Sequence, residues 1–294
     1  MGIPVSNKRR DESRRGTHGC VGHGLLLATA VLIIWVSAPV ARAQDDGPWK
    51  ISVLQALDAA GKKDFAKAEQ IFLVALKQAE AFGPQDERVG ITLNSLGLVY
   101  RAEHKYSEAE GAYRRGLVMI EQTYPNSIDV ANVNFNIATI LLDEGHEAEA
   151  LPTIQRALSI YEKLLGPDGL KTAATLCLQG DAYRLAKRYS EAEGPLRRCA
   201  EIREKDSGLN NAELGDAIQS LARVFAAEGK ASAAEARYKL LEKIRENTAG
   251  ITSPLLGEAM EEHAAILKSM GRDLEADKLT TMAAAIRKSQ GKGR

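Results

Sequence analysis

The sequence predicts an all-α fold of about six stacked, antiparallel helix hairpins, and two observations predict it. Ala68, Ala109, Ala150, Ala192, Ala234 and Ala276 recur at intervals of 41, 41, 42, 42 and 42 residues. Their neighbourhoods recur too: Tyr106-Ser107-Glu108-Ala109-Glu110 matches Tyr189-Ser190-Glu191-Ala192-Glu193, with Phe65-Ala66-Lys67-Ala68-Glu69 as a looser copy. A fixed period of this length marks a repeat architecture, in which each copy covers its apolar face with the next. The second observation is that no stretch alternates apolar and polar residues long enough to argue for a strand.

From the N-terminus, residues 1–43 read as an address. A basic stretch ending at Arg15 precedes an uncharged run from Gly24 to Val36, then Pro39 and Ala41-Arg42-Ala43. That order of parts is a secretory signal peptide with cleavage after Ala43, so the chain is expected to be exported, periplasmic or secreted. The alternative is an inner-membrane anchor through residues 24–41 if the segment is retained. Pro39 and the Ala-x-Ala ending suit a peptidase site better than a continuous membrane helix. Arg14-Arg15 is a weak twin-arginine signal because Gly16-Thr17-His18 supplies no apolar residue after it, and Cys20 lies on the wrong side of the run for lipid attachment. Without this segment, 33 basic residues face 37 acidic ones. That mildly acidic balance gives no general attraction for nucleic acid, and cleavage would leave no membrane segment.

Each copy opens with a helix marked by a small residue twelve before the alanine: Ala56, Gly97, Ala138, Gly180, Ala222 and Ala264. Three further on stand Ala59, Tyr100, Leu141, Tyr183, Phe225 and Leu267, on the same helix face. A turn follows at Lys63, His104, Gly145, Lys187, Gly229 and Gly271, three of them the residue that most readily ends a helix. The second helix carries Phe72, Tyr113, Ile154, Leu196, Tyr238 and Thr280, then Ala75, Gly116, Ala157, Cys199, Leu241 and Ala283. Gly83-Pro84, Pro125-Asn126-Ser127, Gly166-Pro167-Asp168 and Ser253-Pro254 separate the copies. The repeats are therefore placed at about 48–84, 87–125, 127–166, 169–208, 211–250 and 253–289 within a solenoid of 44–290, with 291–294 as a disordered tail.

Small residue, aromatic three on, short turn, alanine, bulky residue, small residue: this pattern resembles the tetratricopeptide repeat across essentially all of the chain after residue 43. The period exceeds the family's usual length of about 34. Together with Thr92-Leu93-Asn94-Ser95-Leu96-Gly97-Leu98-Val99-Tyr100 and Arg156-Ala157-Leu158-Ser159-Ile160-Tyr161-Glu162-Lys163-Leu164-Leu165-Gly166-Pro167, it is similar to the kinesin light chain subtype, whose helices are longer. Ala59 and Thr280 depart from the pattern, so the first and last copies look like caps.

Such a stack curls into a right-handed superhelix whose first helices line a concave groove. Counted from the buried face, that groove should present Asn94, Leu98 and Arg101, then Asn132, Phe135, Asn136 and Thr139, then Cys177, Asp181 and Arg184, then Gln219, Ser220 and Arg223, and finally Glu261 and Lys268. The resemblance implies that Asn94, Asn136 and Gln219 hydrogen-bond the backbone of an extended peptide, with Arg101, Arg184 and Arg223 holding its acidic groups. An exposed asparagine or arginine is otherwise a solvated surface residue, and the argument for a site is collective. Phe135 is either an anchor for a guest or inter-repeat packing.

Chemistry leaves no comparable trace. His104, His146 and His263 fall in different copies, no His-x-x-x-His or Cys-x-x-Cys spacing exists for a metal, and no phosphate loop precedes a helix. No enzyme, cofactor or metal is expected. Cys177 and Cys199 read as two buried small residues, a bridge remaining open if their Cα atoms approach within about 7 Å. The function expected is a non-catalytic scaffold that binds a protein or peptide partner in its groove. The alternatives are a structural or oligomerising subunit of an envelope complex and a regulatory accessory of an enzyme encoded elsewhere.

Overall fold

The computed structural model describes residues 47–290; the expected signal segment and the tail lie outside them. The described residues form helices and connecting turns only: α1 (Gly47–Gly61), α2 (Phe65–Glu80), α3 (Glu87–Ala102), α4 (Tyr106–Thr123), α5 (Ile128–Asp143), α6 (Glu147–Leu165), α7 (Leu170–Leu185), α8 (Tyr189–Ser207), α9 (Ala212–Ala227), α10 (Ala231–Ala249), α11 (Pro254–Ser269) and α12 (Asp273–Gln290), with a 3₁₀ turn at Gly208–Asn210. Each odd-numbered helix packs on the even-numbered one that follows, and each hairpin packs on the next, giving a solenoid of six hairpins.

The recurrent alanines are what the period predicted. All six are 0% exposed, wedged where the two helices of a hairpin cross. The small residue on the first helix receives the bulky one on the second. A Cβ added at Gly97 would stand 2.7 Å from the ring of Tyr113, and one at Gly180 would stand 2.3 Å from Leu196 Cγ. Alanine at either position would therefore force its hairpin apart.

The turns repeat as strictly as the core. All six turn residues are left-handed: Lys63, His104 and Lys187 at φ near 60° and Gly145, Gly229 and Gly271 between 74° and 78°. The next residue then donates its N–H to the carbonyl five positions back, as in Asp64→Ala59, Lys105→Tyr100 and Arg272→Leu267, which satisfies a carbonyl orphaned at the helix end. Side-chain caps open several helices, with Asp64, Asp86, Ser127, Asn211 and Ser253 each accepting a backbone N–H of the first turn.

A basic residue directly after the turn adds a further tie. Lys105, Arg188 and Lys230 lie over the rings of Tyr100, Tyr183 and Phe225, at 5.7, 4.7 and 5.6 Å from the centroids. Lys105 also reaches back to Glu69 at 2.6 Å, Lys230 to Glu193 at 3.5 Å and Arg272 to Glu235 at 2.7 Å, so consecutive copies are joined by ion pairs at equivalent positions.

Candidate functional site on the inner helices

The first helices of neighbouring copies touch one another along one side, α3 with α5, α5 with α7 and α7 with α9. The expected groove residues of α3, α5, α7 and α9 stand on this inner row, with Glu261 and Lys268 beyond it on α11, and the structure sorts them into two kinds. Most are tied to other residues of the chain. Arg101 Nε lies 3.9 Å from Asp143 Oδ2 on α5. Asn132 Oδ1 accepts hydrogen bonds from the Tyr161 hydroxyl and the Lys171 amine, both at 2.7 Å. Asp181 is buried and accepts from Arg184 Nε at 3.0 Å and from Ser220 Oγ at 2.8 Å. Gln219 is buried as well, donating to Glu258 and Glu262 at 3.3 Å while its Oε1 accepts from Arg245 at 3.2 Å. Arg223 holds Glu262 through Nε at 3.1 Å and Glu258 through Nη2 at 3.0 Å.

Burial and neighbouring charges together set the titration of Arg223, Lys171 and Tyr238. Burial works against the charge of Arg223, yet its bonds to Glu262 and the nearby Glu258 charge outweigh burial and its pKa is raised. Burial pushes the Lys171 amine down, with Asp129 pulling it the other way. Tyr238 is pushed up by burial and then by Glu262.

Asn94 and Asn136 form the second kind. Both are half-buried and neither side chain has a hydrogen-bond partner among the described residues; Asn94 Oδ1 is left unpaired. Leu98 and Phe135 stand on the same two helices, half-buried against the core of copies two to four. Of the remaining positions, Thr139 is buried and bonds the Phe135 carbonyl, Glu261 pairs with Arg287, and Lys268 lies 3.7 Å from Asp277.

Cys177 corrects the sequence reading. It is bonded to Cys199, with Cα atoms 5.5 Å apart, and the disulfide staples α7 to α8 within the fourth hairpin. Two small residues at helix-crossing positions on opposite helices come close enough to bridge, which the preference for buried thiols did not anticipate.

The residues that complete the inner network, Asp143, Tyr161, Lys171, Asp216, Arg245, Glu258 and Glu262, were missed in the sequence. A signal for some of them existed. Asn132 and Lys171, Asp181 and Ser220, Gln219 and Glu258, and Arg223 and Glu262 are each 39 residues apart. That separation is one repeat less about one helical turn, and it places the later residue opposite the earlier one on the adjacent inner helix. Among the described residues no group of three or more His, Cys, Asp or Glu is placed to hold a metal ion, and no helix is long and apolar enough to cross a membrane.

Comparison with known proteins agrees with this architecture. The chain is similar in structure to BtubC (BKLC) from P. vanneervenii, at 17% identity with a TM-score of 0.64, over 84% of this chain and 93% of that one. It is also similar to a Podospora anserina putative kinesin light chain with nearly identical TPR-like repeats, at 18% identity and TM-score 0.61, over 68% and 95% of the two chains. PilW, a type IV pilus biogenesis factor, matches at 18% identity and TM-score 0.62, over 81% and 92%. A search of curated proteins finds no matching sequence. The tetratricopeptide repeat family model matches residues 50–122 and 129–205, more than half of the chain. With that match, the six left-handed turns and the buried alanines on one register, the chain belongs to the tetratricopeptide repeat family, with long repeats of the kinesin-light-chain kind.

Proposed function

We propose that the chain is an exported, non-catalytic scaffold that holds an extended segment of a partner protein against α3 and α5. The observation that carries this reading is the sorting of the inner face. Arg101, Arg184 and Arg223 already have carboxylate partners within the chain, whereas Asn94 and Asn136 have none. A carboxamide offers both a donor and an acceptor, matching the N–H and C=O of an extended backbone. Leu98 and Phe135 offer an apolar contact for alternate side chains of the same guest. Recognition is then assigned to the guest's main chain and apolar side chains, and the arginines serve the scaffold rather than an acidic ligand.

Export is supported by the basic, apolar and Ala-x-Ala order of residues 1–43 and by the Cys177–Cys199 bridge, a bond that persists in oxidising compartments. The test is capture of a randomised peptide library by the chain beginning at Gln44 and by its Asn94→Ala/Asn136→Ala variant. Loss of capture in the variant supports the groove. Equal capture by both would move the binding surface elsewhere.

A further inference from the structure

The two ends of the solenoid are built differently. The position five before the small residue of each first helix is occupied by Thr92, Val133, Thr175, Ala217 and Ala259 in copies two to six, and all five are 0% exposed because the preceding hairpin covers them. In the first copy the same position is Ile51, 57% exposed. With Leu54, Gln55 and Asp58 it forms an exposed stripe at spacing i, i+3, i+4 and i+7 along α1. The far end is polar at the matching level. The position eleven after the recurrent alanine holds Ala79, Ile120, Tyr161, Arg203 and Arg245, all buried by the following hairpin, but in the last copy it is the exposed Arg287, with Asp277, Thr280 and Ala284 beside it. Repeat arrays end in polar outer faces; among the described residues the sixth copy is polar at this level, its exposed Leu274 and Met282 standing elsewhere on α12, and the first copy is not.

From this asymmetry we infer that a second copy of the chain covers α1, in a two-fold dimer joined N-terminal end to N-terminal end. Stacking head to tail would press Ile51 and Leu54 against Asp277, Thr280 and Arg287 and would leave an open chain of subunits. A two-fold pairing joins the two apolar ends and closes. With Leu54 of both copies at the axis and the helices antiparallel, residue 50 of one copy faces residue 58 of the other, so Lys50 meets Asp58 twice. With cleavage after Ala43, a step that rests on the proposed export, the three residues left before Gly47 span at most about 11 Å. They are too short to cover α1, which is about 22 Å long. A single helix-on-helix seam buries less than the roughly 1,200 Å² of a standard interface, so the dimer forms and dissociates with concentration.

The groove reading is independent of this one, since α1 carries none of the groove residues. Sedimentation equilibrium of the chain beginning at Gln44, which retains every described helix, should show a monomer–dimer equilibrium. Ile51→Asp/Leu54→Asp should weaken it at least about 100-fold without changing helical circular dichroism. Lys50→Asp should weaken it about 10-fold, and Lys50→Asp/Asp58→Lys should restore it. A monomer at every concentration, or a dimer indifferent to Ile51 and Leu54, would overturn the inference. Peptide capture should be the same for the wild type and for the Ile51/Leu54 variant.

Discussion

The first three copies and the last three share one backbone plan but hold themselves together by different means. At the position eleven after the recurrent alanine, the front half places Ala79, Ile120 and Tyr161, and the back half places Arg203, Arg245 and Arg287. In the front, that residue joins the apolar filling between hairpins. In the back, Arg203 pairs with Glu213 across the junction, and the buried Arg245 bonds Asp216 at 2.6 Å and the Ala212 carbonyl at 3.3 Å. The inner face divides at the same point. Its unpaired asparagines and half-buried Phe135 lie in copies two and three, while copies four to six carry the disulfide, the Asp181–Ser220 bond and the Arg223–Glu258–Glu262 cluster. A solenoid copy contacts only its neighbours, so polar bonds can be concentrated on the inner face of one half while the other, tied at Arg101 and Asn132, keeps the Asn94 and Asn136 carboxamides for a guest.

The sharpest way to break this division is at Arg245, among the most buried side chains of the chain. Arg245→Ala removes the guanidinium from Asp216 and Gln219 and leaves a buried carboxylate without it, an expected loss of about 3–5 kcal/mol. Because α10 and α9 also support α11, the loss should appear in hydrogen exchange of copies five and six before copies two and three. Uniform deprotection along the chain would show that the halves are not separate in stability. Next in size is the disulfide. It closes a loop of 22 residues, and opening it with reductant or with Cys177→Ala/Cys199→Ala should cost about 3 kcal/mol on chain-entropy grounds. Thermal melts with and without reductant read that loss, and the double alanine variant should be insensitive to reductant.

How far the sequence reached follows from what kind of force shapes each feature. The recurrent alanines, the small–bulky pairs and the helix ends were legible because close packing of two helices leaves the same residue type at the same place in every copy. The turn was placed at all six positions, but its left-handed backbone was legible only at Gly145, Gly229 and Gly271 and not at Lys63, His104 and Lys187. There the stack imposes a left-handed backbone on residues that do not favour it. The inner face was harder to read. A helix wheel identifies which residues point inward, but whether Arg223 is available depends on Glu258 and Glu262, about one copy away, and wheel reasoning stays within one helix. Thr280 was legible as a departure, and it stands exposed in the sixth copy, which no further described hairpin covers.

Those three turn residues give a smaller test that applies to both halves. Lys63→Gly and Lys187→Gly relieve the same left-handed strain, each with an expected gain of up to about 1 kcal/mol once glycine's extra freedom in the unfolded chain is discounted. Equal gains front and back would show that the turns are common scaffold and that only side-chain bonding separates the halves. A gain at Lys187 alone would place part of the difference in the backbone.

The smallest effect is a dependence on acid confined to the back half. Glu235 is held by hydrogen bonds from Lys239 first and Arg272 second, and its carboxyl is drawn down from 4.5 to about 2. The unfolded chain takes up a proton there near pH 4.5, whereas the folded chain resists until about pH 2. The contribution of this group is therefore complete above pH 4.5 and is lost as the pH falls from 4.5 towards 2. Glu235→Gln should lower the thermal midpoint at pH 6, and the gap to wild type should close as the solution is acidified through that window. Glu235 ties α10 to the turn before α12, so the missing stability should again be found by hydrogen exchange in copies five and six. If the gap stays constant with pH, the carboxylate acts there by shape and hydrogen bonding alone, and charge is not what distinguishes the back of the solenoid from its front.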